Sequence, residues 1–196
     1  MFVNADSELK SVDHLLRRAR AQPGKVTIGT IAAGSTQHLA AEYFKSVAGI
    51  DAVIVPYKGT PAVITALRAG EIDVGFEILG PMLGQVQGKT LRALAVTSDR
   101  RFAVLPEVPT VKESGLAGYS VASWNALAAP AKTPRPVIDR LQRAAVQALA
   151  LPSVQQQLQA LGVRAQGSTP EQAQQRLAGD LKRWGEVIVK AGIELQ

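Results

Sequence analysis

Ser35, Thr36 and His38 stand just after Gly34, at the foot of a short β-branched run from Val26 to Ile31. Gly29 to Thr36 spells G-x-x-x-x-G-S-T, one residue from a phosphate-binding P-loop, but Ser35 occupies the place of the lysine that must reach the terminal phosphates. No Asp-ending strand offers itself as a magnesium partner, so nucleotide hydrolysis is disfavoured. What remains is a strand, a small-residue loop and a helix start. Gly34 allows the tight turn, and Ser35 or Thr36 can cap the helix. Such a junction turns free N–H groups and hydroxyls into one small space that suits an anion, a carboxylate in particular. A capped helix with no ligand has the same pattern, and spacing alone leaves both readings open. Ser35 and His38 lie three apart and could pair as nucleophile and base, but no acid is placed to orient the imidazole. A helix histidine satisfied in place is the simpler reading. His14 and His38 are the only histidines and carry no local ligand cluster, so no metal site is expected.

Glu77 ends an apolar run, where a carboxylate is costly unless partnered. In an open α/β sheet the carboxyl ends of the strands line the ligand crevice. Gly29-Thr30, Tyr57-Lys58 and Glu77 all fall at such ends. For Glu77 the alternative is a local cap or ion pair; for Tyr57 and Lys58 it is a surface turn.

The elements that would position these residues alternate. Phe2-Val3 reads as a strand end. Ser11 caps a helix carrying Val12, Leu15, Leu16 and Ala19 on one face, stopped by Pro23-Gly24. The helix after Gly34 ends near Gly49. Strands are expected over Ala52–Tyr57, Ile72–Ile78 and Leu91–Thr97. Between them lie a helix from Pro61 to Gly70 and a helix or turn from Gly80-Pro81 to Gly88. The pattern predicts an α/β sheet, mostly parallel. After Ser98 a proline-spaced connector and an extended stretch containing Trp124 lead to helices starting at Pro134, Pro152 and Pro170, with a short strand at Val163–Ala165. The last helix is expected to bury Ala173, Leu177, Leu181, Trp184, Ile188 and Ala191. The chain thus divides into an α/β part, residues 1–120, and a mainly helical part, 121–196, whose apolar stripes find little partner surface.

With 196 residues and 46% hydrophobic content, the chain can build one good core or two small lobes. No stretch approaches the roughly eighteen apolar residues of a membrane span. The net charge of +6 is scattered and aromatics are few, which speaks against nucleic-acid binding and for mild attraction of small anions. The absence of cysteine removes disulfides, thiolate metal sites and cysteine catalysis. The N-terminus lacks the basic and apolar regions of an export signal.

The order of motifs resembles a known family. Gly29 to Ala40 is similar to its Gly-rich carboxylate loop, Val55-Pro56-Tyr57-Lys58-Gly59 to its VPYKG segment, and Gly88 to Ser98 to its GKLRALAVTS segment. Leu105 to Val111, Ser123-Trp124 and Ala129 to Pro134 continue in family order. By this resemblance the chain is identified as a Bug/TctC-type periplasmic solute-binding receptor of tripartite tricarboxylate transporters. The resemblance implies a type II periplasmic-binding-protein fold, in which residues 1–120 form the complete α/β ligand-binding lobe and 121–196 are the C-terminal helices of an incomplete first lobe. It further implies a non-enzymatic receptor without cofactor, holding a di- or tricarboxylate, an acidic amino acid or an aromatic acid. Thr30, Ala33, Gly34, Ser35 and Thr36 would bind through N–H and hydroxyl groups, with Tyr57 and Glu77 beside them. The implied partners are the membrane components of the transporter, and the implied location is the periplasm; a complete reading frame without a signal would instead be cytoplasmic. Two departures stand out. Phe76-Glu77-Ile78 replaces the family's Phe-Asp-Asn, and nothing matches its Pro-Gly-Gly loop or the stretch that builds most of the first lobe. A remnant domain acting by protein association, or a homo-oligomer formed through the unpaired C-terminal helices, is the alternative.

Overall fold

Burial on both faces of the first few residues already marks the sheet. Val3 points to one face and Phe2 to the other, each among buried side chains. The computed structural model describes residues 1–193. Five strands, β1 (Phe2–Asn4), β2 (Thr27–Ile31), β3 (Val53–Tyr57), β4 (Val74–Gly75) and β5 (Leu91–Ala93), lie in the order β3-β2-β4-β1-β5. β2 runs parallel to β3 and β4, whereas β1 is antiparallel to both β4 and β5. The sheet is therefore mixed, with one reversed strand in its interior.

Helices α1 (Val12–Ala21) and α2 (Thr36–Ala48) cover one face, and α3 (Thr60–Ala69) and α4 (Leu79–Gln87) the other. Ser11 caps α1 by accepting the His14 N–H, and Gly49 and Gly70 close α2 and α3 in the left-handed conformation. Leu15, Val26, Ile28, Phe44, Val74 and Tyr119 make the first core layer; Phe2, Val63, Leu67, Ile72, Met82 and Leu91 make the second. Burial of this apolar surface is the main force holding the sheet between its helices. Tyr119 is fully buried, and its hydroxyl donates to the Ala40 carbonyl at 2.9 Å. Arg92 on β5 donates to the carbonyls of Ala5 (2.7 Å), Ser7 (2.9 Å) and Leu9 (3.0 Å), tying the segment after β1 to the sheet edge.

Several expected elements shrink. The strand expected over Ile72–Ile78 pairs only at Val74–Gly75, because Ile78 already serves as the N-cap of α4. The one expected over Leu91–Thr97 ends at Ala93; beyond it only Val96 forms a bridge, with Thr110. No strand forms at Val163–Ala165: Gly162 takes φ 72°, and the Val163 N–H turns back to the Leu158 carbonyl at 2.8 Å.

Residues 121–193 carry α5 (Arg135–Ala150), α6 (Pro152–Ala160) and α7 (Pro170–Ala191). Thr169 and Gln172 form a reciprocal capping box at the start of α7. α7 packs on α2: Val187 is buried, Trp184 meets the Tyr43 ring edge-on at 6.4 Å, and Lys190 donates to Ser46. Leu177 and Leu181, expected inward, are 46% and 67% exposed. α5 and α6 bury no residue, and Leu141, Leu151 and Leu161 stand open to solvent. Among the described residues no helix is long and apolar enough to cross a membrane.

Candidate functional site

Parallel register brings three strand ends to one edge of the sheet. Ile31 pairs with Tyr57, Gly29 pairs with Gly75, and the Phe76 N–H donates to the Gly29 carbonyl at 2.9 Å. The chain leaving β2 therefore enters α2 beside the start of α3 and just above Glu77. Close approach is needed here: a Cβ on Gly29 would come within 2.2 Å of Ile72 Cδ1.

The loop from Ala32 to Ser35 turns through Gly34, whose φ of 77° lies in the left-handed region. Ser35 is the N-cap of α2, and its Oγ accepts the His38 N–H at 3.1 Å. The hydroxyl hydrogens of Ser35 and Thr30 both go to the Ile31 carbonyl, at 3.3 and 2.9 Å. Thr30 is completely buried, so it braces the loop from beneath and shows no surface to a ligand. The Gly34 N–H donates to His38 Nδ1 at 3.1 Å. His38 is thus an internal acceptor, and Ser35 and His38 form no nucleophile–base pair. Burial lowers the His38 pKa from its ordinary value, with a smaller opposing pull from Glu42, in the direction of the neutral imidazole that the bond requires.

These bonds leave a backbone donor set. The N–H groups of Ala33, Thr36 and Gln37 have no partner among the described residues, and Ala33 and Thr36 are exposed. Two of them begin α2, where the aligned peptide dipoles favour negative charge by about 0.3–1 kcal/mol. Ser35 and Gly34 shape this cradle, while Ala33, Thr36 and Gln37 present it.

Glu77 lies half-buried between the first turns of α2 and α3. Its Oε2 accepts from Gln37 Nε2 at 3.3 Å and from Thr60 Oγ1 at 3.1 Å. Oε1 is buried without a partner. Burial raises the Glu77 pKa, and the bonds from Gln37 and Thr60 counter only part of that. Tyr57 is half-buried against Gly29 and Ile31, and burial raises its phenol pKa; its hydroxyl has no partner among the described residues. Lys58 is exposed. Sequence reasoning passed over Gln37 and Thr60. Thr60 could have been found, since it follows Gly59 at the same strand end that singled out Tyr57 and Lys58. Among the described residues no group of three or more His, Asp or Glu could hold a metal ion.

Against known proteins, the family model described as tripartite tricarboxylate transporter family receptor (TctC) matches residues 1–193. A "UPF0065 protein in tcbD-tcbE intergenic region" of Pseudomonas sp. (strain P51) is 35% identical over 191 residues, covering 97% of this chain and 57% of the relative. A Rhodopseudomonas palustris protein solved with adipate superposes with a TM-score of 0.83 at 31% identity, covering 97% of this chain and 64% of that one. MatC from the same organism, solved with bound malate, gives 0.73 at 25% identity, covering 95% and 65%. The chain therefore spans less than two thirds of the length of these relatives.

Proposed function

Because the chain belongs to the tripartite tricarboxylate transporter receptor family, we propose that it binds a small carboxylate in the cradle between β2 and α2, as the solute receptor of such a transporter. The observation that carries this reading is the set of unpartnered N–H groups at Ala33, Thr36 and Gln37, turned outward by the left-handed Gly34 at the carboxyl edge of the sheet. Both hydroxyls beneath the loop are committed inward, so one ligand carboxylate is held by backbone donors and the Thr36 hydroxyl. Tyr57 and the Glu77 cluster flank it. Glu77 favours a ligand that presents a hydroxyl, an ammonium or a protonated carboxyl on that side, since its own carboxylate repels a second bare one. The adipate and malate of the solved neighbours support the ligand class.

In this reading residues 1–120 are the ligand-binding lobe, the family's second, and 121–196 the C-terminal part of its first lobe, and the receptor works on the periplasmic side with the transporter's membrane components. Calorimetric titration with adipate, malate and citrate tests it. Heat that is lost on Gly34→Ala supports it; no heat from any of the three overturns it.

The exposed apolar residues of α5 to α7 favour a second reading, self-association through these helices. Light scattering after gel filtration decides it, and a monomer at micromolar concentration removes it.

A further inference from the structure

A second concave surface lies away from the β2–α2 loop, where the segment after β5 meets α7 and the α6–α7 connection. It is a cavity of about 470 Å³, and its lining includes Arg100, Arg164, Arg176 and Arg183 together with Ser120 and Asp99. Four guanidiniums thus face one lining carboxylate. Three of them are held in place by aromatic rings. Arg164 lies over Phe102 at 5.8 Å, Arg176 over Trp124 at 5.7 Å, and Arg183 over Trp184 at 4.7 Å. Backbone carbonyls fix two of these further: Arg183 donates to Ser120 O at 3.0 Å, and Arg164 to Arg101 O at 3.2 Å. Trp124 is itself anchored by its indole N–H to Asp180, at 2.7 Å.

The countercharge is incomplete. Asp99 stands 3.8 Å from Arg164 and 3.9 Å from Arg100, beyond good hydrogen-bond length, and Asp180 serves Arg183. Arg176 has no carboxylate within ion-pair distance among the described residues. A planar guanidinium carries five donors in a fork that matches carboxylate and phosphate oxygens, and stacking it on a ring lowers the entropy lost when it binds. Donors held this way, in a concavity, with unmatched positive charge, suit one compact multivalent oxyanion.

We infer that this cavity is a second anion site, which binds a polycarboxylate or a phosphate-bearing small molecule and clamps α7 to the segment after β5. It is separate from the β2–α2 cradle in residues and in place. A bound anion ties Arg100, from the α/β part, to Arg176 and Arg183 on α7, so occupancy stabilises the join between the two parts of the chain.

The test is calorimetric titration of the whole chain with pyrophosphate and with citrate at low salt. One equivalent of at least one anion is expected to bind. Arg100→Gln/Arg176→Gln, two substitutions of exposed side chains, is expected to weaken binding about tenfold or more. Ser35→Ala, which alters only the other loop, should leave the binding of pyrophosphate unchanged. Arg140→Gln/Arg143→Gln removes the same charge from the exposed face of α5 and should also leave it unchanged. Pyrophosphate alone binding identifies a phosphate-bearing ligand; citrate alone identifies a polycarboxylate where Arg100→Gln/Arg176→Gln weakens its heat, and citrate heat that this double variant leaves intact belongs to the β2–α2 cradle and overturns the inference. Absence of heat from both overturns the inference, as does equal weakening in the α5 control, which would mean general charge attraction.

Discussion

Gly34→Ala asks whether the carboxylate cradle depends on one backbone angle. At φ 77° an added Cβ meets no atom within 4 Å, so no clash contributes. The cost is the left-handed conformation itself, about 1–2 kcal/mol for an L side chain. Gly179 in α7 gives the opposite case. It also has open space around it, but it is helical, and alanine there is expected to stabilise by about 0.5–1 kcal/mol. Both substitutions restrict the unfolded chain alike, so that contribution cancels in the comparison. The expected gap between the two variants is therefore the left-handed strain, about 1–2 kcal/mol. For a chain of this size that corresponds to melting temperatures roughly 2–8 °C apart. Urea denaturation followed by circular dichroism on the parent and both variants measures it. If Gly34→Ala matches or exceeds the parent in stability, the loop does not need its left-handed residue and the reasoning fails. Gly34→Asn should fall between glycine and alanine, since asparagine enters this region more readily.

Ser35→Ala removes the N-cap acceptor of the His38 N–H and should cost about 1 kcal/mol in the same denaturation assay. Glu77 and His38 give opposite pH slopes. The raised Glu77 pKa means the native state binds its proton more tightly, so stability falls as pH rises from the ordinary carboxylate value through the raised one; Glu77→Gln should abolish that fall and stabilise at neutral pH. The lowered His38 pKa means the unfolded state takes the proton first, so stability falls as pH drops below the ordinary histidine value; in His38→Gln the fall should vanish from a pH series of urea melts. Arg92→Met leaves the carbonyls of Ala5, Ser7 and Leu9 without their shared donor and should cost about 2–4 kcal/mol, read as a lower urea midpoint.

Features whose signal lies in adjacent residues are legible in the sequence. The cap at Ser11, the start of α2 at Ser35 or Thr36, the closing glycines Gly49 and Gly70, and the alternation of strand and helix all read correctly, because each depends on neighbours within a turn. The length of β4 is not legible, because it depends on where α4 begins, and Ile78 fits strand and cap equally well. The reversed direction of β1 is also hidden, since nothing local to Phe2 and Val3 says which strands will flank them. At the cradle, the loop and the strand ends are visible. The inward commitment of the Thr30 and Ser35 hydroxyls is not, and neither is the meeting of Glu77 with Gln37, 40 positions away, and Thr60, 17 positions away. The exposed stripe of α7 follows helical spacing faithfully, but spacing does not say whether a partner surface is present, and Val187 rather than Leu181 becomes the buried residue.

The reversed strand also shapes how the sheet forms in time. β1 precedes both of its partner strands: Phe2 pairs with Gly75 and with Ala93, so its pairing waits until both have been made. Until then β4 lacks its second neighbour, and Met1, Phe2 and Val3 have no shelter. Closing so long a loop adds an entropic barrier that local helix formation does not face. The parallel β2–β3 pair, bridged by α2 alone, is therefore the natural nucleus, and insertion of β1 the closing step. Folding of this sheet should be rate-limited by the insertion of β1, and a pulse of hydrogen exchange during refolding would find the β2 amides protected before that of Val3.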